Sequence, residues 1–234
     1  MVLTNQITIK IKIKIKININ INIKQMNMEL FNNLCQFILD TSTKYKIDET
    51  HNISHSMNVL HYAHSMYETE VRVNPIIAEH VNIIYIAAVL HDMCDKKYMN
   101  ETDGVAEITA FLKTKITAEE IAAITAIIST MSYSKVKTNG FPELGIYQRA
   151  YHIVREADLL TAYDFDRCVI YNMKVYNGNF GDSFSQAEEL FQKRVFRHAD
   201  DHLFTTEYAI RHYPILHDQA MERIIHWKKI LRLD

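Results

Sequence analysis

Asp92 directly follows His91 where the apolar run YIAAVLHDM, residues 85–93, comes to an end. Two ionisable groups at the end of a buried segment cost desolvation free energy unless something compensates them. A metal ion would do so, provided the rest of the chain supplies the other ligands. His51 and His55 lie four residues apart, so they share one face of a helix, and either can point to the centre of a bundle. Asp158 sits in VREADLLTAYD, among Val154, Ala157 and Leu160, where an acid at core positions calls for a partner. Two imidazoles and two carboxylates form a mixed nitrogen and oxygen set. It suits Mn(II), Fe(II), Co(II), Ni(II) or Zn(II), and suits Ca(II) less. An ion held this way lowers the pKa of its water and supplies a hydroxide nucleophile near neutral pH.

The elements that must position these residues read as helices, and the expected fold class is all-α, a compact multi-helix bundle. Residues 28–45 place Leu30, Leu34, Phe37 and Ile38 on one helical face. Residues 52–70 form a second amphipathic pattern. Asn74 and Pro75 make a cap and first-turn pair for a third helix running to about His91. Further helical patterns cover 118–131, 147–165, 185–210 and 218–233. The start of the chain differs. In ITIKIKIKIKINININIK, residues 7–24, isoleucine alternates with lysine or asparagine. Read literally this is a long strand with one apolar face, but nothing later alternates comparably to pair with it. Residues 1–27 are therefore expected to be a low-complexity, poorly packed extension, and residues 28–234 a single domain.

Composition narrows the function classes. Five glycines and three prolines disfavour an all-β chain, and neither a phosphate loop nor a dinucleotide-binding fingerprint occurs. A net charge of -2 gives no global basic footprint for nucleic acid. Cys35, Cys94 and Cys168 are odd in number and far apart, which fits a reducing compartment. The sequence shows no apolar run of membrane-spanning length and no apolar core of a secretion signal. The expectation is a cytoplasmic protein with no membrane partner and no stable nucleic-acid partner.

HNISHSMNV (51–59), AAVLHDM (87–93) and READLLTA (155–162) together resemble the H…HD…D pattern of the HD-domain superfamily of metal-dependent phosphohydrolases. The three blocks are similar to that family's H-D-x-x-H-x-x-R-V, A-x-L-L-H-D and D-A-D-x-L-D-A segments, in order, and the resemblance covers most of residues 28–175. It implies a helical bundle with the metal at its centre and His55, His91, Asp92 and Asp158 as ligands. The chain departs from the pattern at Asn52, where Asp is frequent, at Asn58, where Arg is frequent, and in reading EADLL for DADRL.

The resemblance further implies Asp95 as general acid or base, one helical turn past Asp92. Lys96, Ser132 and Lys135 are the candidate substrate contacts, and Lys193 and Arg197 share a face that would suit an anion-binding lid. Two-metal relatives carry extra histidines between the His-Asp pair and the last Asp. Here only His152 falls there, which implies one divalent transition metal ion, Mn(II) first, with Fe(II), Co(II), Ni(II) or Zn(II) as alternatives. The implied function is hydrolysis of a small phosphorylated metabolite, a nucleotide by preference, as a monophosphatase or pyrophosphohydrolase. The alternative is a catalytically inactive, metal-stabilised binding or scaffold protein. Homo-oligomers are compatible with either.

Overall fold

The computed structural model describes residues 26–175 and 177–232. The chain is all-α: ten α-helices and no strand occur among the described residues. No helix among them is long and apolar enough to cross a membrane. The alternating segment 7–24 lies outside the described residues.

Helix α1 (Met28–Tyr45) begins where the Asn27 side chain accepts a hydrogen bond from the Leu30 N–H, and it buries Leu34 and Ile38. Met26 also packs on the core, so the folded unit reaches slightly beyond residue 28. Helix α2 (Ile53–Val73) is capped by Asn52, whose amide oxygen accepts from the Ser54 N–H. Asn is as good a cap as Asp, so this departure from the family pattern leaves the helix start intact. The buried stripe of α2 runs His55, Val59, Ala63, Met66 and Glu70, a spacing of four, four, three and four. His55 is thus a stripe position that happens to be polar.

The segment read as one helix from Asn74 to His91 divides in two. Pro75–His80 is a 3₁₀ turn, and α3 (Val81–Leu90) follows. Eight of its ten residues are buried, and a helix apolar all round belongs at the centre of a bundle. Next come α4 (Glu101–Leu112), α5 (Ala118–Thr130) and the short α6 (Tyr133–Asn139). Thr117 and Glu120 cap each other's backbone N–H at the start of α5.

Helix α7 (Gln148–Thr161) ends before the limit of its sequence pattern; the chain turns at Ala162 and Tyr163 and restarts as α8 (Phe165–Val175). Similarly, the stretch 185–210 is not one helix. Helix α9 (Phe180–Lys193) stops at Arg194, a 3₁₀ turn covers Val195–Arg197, and α10 (Glu207–Leu231) closes the fold, with Pro214 inside it. Helices α2, α3 and α7 pack on one another to form the centre, with α5 against α3 and α10 against α2, α7 and α8. Phe165, Phe184, Phe191 and Ile224 form a second apolar cluster between α8, α9 and α10.

Two polar anchors fix the central helices. Arg149 on α7 donates two hydrogen bonds, 2.7 and 2.6 Å, to the Glu70 carboxylate of α2. Glu156 is fully buried and accepts from the backbone N–H and hydroxyl of both Thr205 and Thr206, at 2.7 to 2.9 Å, so that α7 holds the start of α10.

Candidate metal centre

The three central helices deliver one donor group each to a single point, and α3 delivers a second just past its end. His55 comes from the first turn of α2, His91 and Asp92 follow the last residue of α3, and Asp158 lies near the end of α7. The Nε2 atoms of His55 and His91 are 3.1 Å apart. Asp92 Oδ2 is 3.3 Å from the first and 3.2 Å from the second. Asp158 Oδ1 is 3.3 and 3.6 Å from the same two atoms. The donor atoms of His55, His91 and Asp158 all lie within 4.8 Å of one another.

These separations suit ligation of one ion. Two donors about 2.1 Å from a common metal lie about 3.0 Å apart at a right angle and about 3.4 Å apart at a tetrahedral angle. Asp92 Oδ2 is buried and makes no hydrogen bond among the described residues despite lying near both ring nitrogens. A carboxylate at the C-terminal end of a helix also faces the negative end of the helix dipole, which makes a cation there more favourable still. The orientation of His91 is set from behind. Its Nδ1 lies 2.9 Å from the Ala88 carbonyl oxygen, which can only accept, so Nδ1 carries a proton and Nε2 faces the donor cluster.

The electrostatics agree. Burial works against a charged His91, yet Asp92 and Asp158 beside it outweigh burial and push the imidazole up to about 9. Burial likewise opposes ionisation of Asp92 and Asp158, but the two histidines hold both carboxyls well below the usual range. The cluster therefore keeps two negative charges and attracts positive charge.

A cavity of about 200 Å³ opens on the donors, and Asp95, Lys96, Ser132 and Lys135 all line it. Asp95 lies one turn beyond Asp92: its N–H donates to the Asp92 carbonyl at 3.2 Å, while its Oδ1 accepts from the Lys97 N–H at 2.9 Å. Lys96 is exposed and has no ion-pair partner among the described residues. Lys135 is already engaged, by Glu101 and by the Ser129 carbonyl at 2.6 Å. Ser132 stands at the rim, in the residue position before α6, without a side-chain capping hydrogen bond. His51 also lines the cavity but stands apart from the donors, 2.9 Å from the Tyr98 hydroxyl and 3.2 Å from Lys97 Nζ.

Two further cations reach the cavity without having stood out in the sequence, Arg167 and Arg194. Arg167, at the start of α8, packs its guanidinium against His55 Nδ1 and lies 3.4 Å from the Thr50 carbonyl. Arg194 stands where α9 ends. Its guanidinium lies 4.1 Å over the Tyr133 ring and has no hydrogen bond or ion pair among the described residues. Its neighbours Lys193 and Arg197 face away, paired with Glu189 and Asp201. A continuous helix through 194 would have hidden this arrangement, because the break turns Arg194 inward.

No family model matches the chain, and no curated protein matches it. Among solved structures it is similar to a crystal structure from Lactobacillus plantarum, a structural-genomics target, at 20% identity and a TM-score of 0.66. The match covers 90% of this chain and 100% of that one. At this identity the likeness shows the shared fold alone.

Proposed function

We propose that this chain is a metal-dependent phosphohydrolase of the HD type, acting on a small phosphorylated metabolite, with nucleotides the favoured class. One observation carries the reading: four donors from three helices meet at the floor of a cavity whose other wall holds unpaired cations. Histidine and carboxylate together suit a divalent transition ion, and Mn(II) is the first candidate. When bound, such an ion polarises a phosphoryl oxygen and activates a water.

The protein's own groups have separable tasks in this reading. His55, His91, Asp92 and Asp158 hold the ion. Arg194 and Lys96 bind the phosphoryl oxygens and offset the charge that develops on them. Asp95 accepts or returns a proton at the reacting oxygen. Lys135, tied to Glu101, shapes the wall of the cavity more than it binds substrate.

The test is elemental analysis of the purified chain, followed by a phosphate-release assay with Mn(II) on 4-nitrophenyl phosphate and a panel of nucleoside mono- and triphosphates. Metal near one equivalent per chain together with turnover supports the reading. Metal without turnover of any phosphate ester makes the chain a metal-stabilised scaffold instead.

A further inference from the structure

We infer that the open groove between α2 and α10 receives the nucleoside part of the substrate, while the phosphate passes Arg167 to reach the metal centre. This inference rests on the phosphohydrolase reading and adds a subsite to it. Volume is the first argument. Pockets that enclose metabolite-sized ligands span about 300–1,000 Å³. The cavity over the donors, about 200 Å³, has room for a phosphoryl group and little more. A second cavity of about 660 Å³ adjoins it, and His55 and Arg167 line both. A substrate larger than its phosphate therefore has a neighbouring space to enter.

The chemistry of that space selects the occupant. Tyr62 on α2 and Tyr208 on α10 line it. The Tyr208 ring is stacked on His212, with centroids 3.7 Å apart and planes 11° apart, so the stack keeps one outer ring face on each side. Nucleobases stack on such surfaces. Asn58 on α2 and Gln219 on α10 also line the groove, and neither side chain makes a hydrogen bond among the described residues. A primary amide offers both donor and acceptor, which matches the edge of a base. The charges argue against placing a polyphosphate here. Asp164 and Asp166 offset Arg167 and Arg223, and Arg223 is already bound to Asp166 through its Nε at 2.9 Å. The groove offers aromatic and amide contacts without a net positive field.

The test uses the full chain with Mn(II) and probes that cannot be hydrolysed: adenosine, guanosine, cytidine and uridine, each titrated by calorimetry. At least one should bind with Kd at or below about 1 mM. Asn58→Leu and Gln219→Leu should each weaken it by about 3- to 10-fold, the loss of one neutral hydrogen bond, with metal content unchanged. Both side chains are exposed, so the fold tolerates the changes. The inference is overturned if none of the four nucleosides binds, or if the double variant binds as well as the unaltered chain. Hydrolysis of 4-nitrophenyl phosphate without nucleoside binding would remove the groove and leave the phosphohydrolase reading standing. Nucleoside binding without turnover of any phosphate ester would do the reverse.

Discussion

The Nε2 atoms of His55 and His91 lie 3.1 Å apart although 36 positions separate the residues in sequence. Two imidazole nitrogens come this close through a shared proton or a shared ion, and both carboxylates beside them favour the cation. Replacing His91 with Ala removes a ligand and leaves Asp92 and Asp158 facing each other with less positive charge between them. The expected result is loss of bound metal by elemental analysis. In metal-stripped protein the same change should lower stability by roughly 3–5 kcal/mol, the cost of breaking a buried pair, as read from urea unfolding. A full metal complement in this variant would contradict the ligand set.

Asp95 is a different case, because it lines the cavity but does not belong to the clustered donor group. Asp95→Asn keeps the size of the side chain and its acceptor toward Lys97. Metal content and thermal midpoint should stay near the unaltered values, while kcat falls by roughly 10²- to 10⁴-fold and KM changes little. A wild-type kcat would make Asp95 merely the cap of the turn after α3.

Arg194 and Lys135 make a contrasting pair. Both reach the cavity, but Arg194 has no polar partner among the described residues and Lys135 has two. Arg194→Leu should raise KM for the best phosphate ester by roughly 10- to 100-fold, the worth of a hydrogen bond to a charged group. Lys135→Met should have a smaller effect on KM. The reverse order of effects, measured side by side, would move the phosphate site to the α6 wall.

The apolar rhythm of the chain exposed the all-α class and the stripe of α2, because His55 falls in phase with Val59, Ala63 and Met66. The His-Asp pair was legible as a helix end for the same reason: α3 is apolar until it stops. The helix breaks at Ala162 and Arg194 were not legible. Both occur without glycine or proline, inside stretches whose periodicity continues across the break. The 3₁₀ turn at Pro75–His80 was hidden differently, since Pro at the first position starts either kind of helix. Arg167 and Arg194 went unnoticed because each depends on where a break turns the chain, which tertiary packing decides.

His198 links the cavity wall to pH. It is fully buried with both ring nitrogens unpartnered among the described residues. Burial first, and then the charge of Arg194, push its pKa down to about 3, with Arg155 adding to the shift and Asp158 and Asp201 opposing it. The unfolded chain takes up this proton near pH 6.5 and the folded chain does not. Its contribution to stability is therefore complete above about pH 6.5 and declines as pH falls toward 3. His198→Phe should raise the thermal midpoint, and the gain over the unaltered chain should be larger at pH 5 than at pH 7.5. An equal gain at both values would show that His198 is protonated in the fold.

The Glu156 anchor also sets an order of events during synthesis. Glu156 precedes Asp158 by two residues on α7, and four of its hydrogen bonds come from Thr205 and Thr206 at the threshold of α10. Helices α2, α3 and α7 leave the ribosome before α10, while a domain generally folds as one unit. Until residues 205 and 206 emerge, the carboxylate that fixes this end of α7 has Arg155 as its remaining donor. A nascent chain thus exposes His55, His91 and Asp92 before Asp158 is held in register. The proposed metal site is therefore complete only once the closing helix has been added.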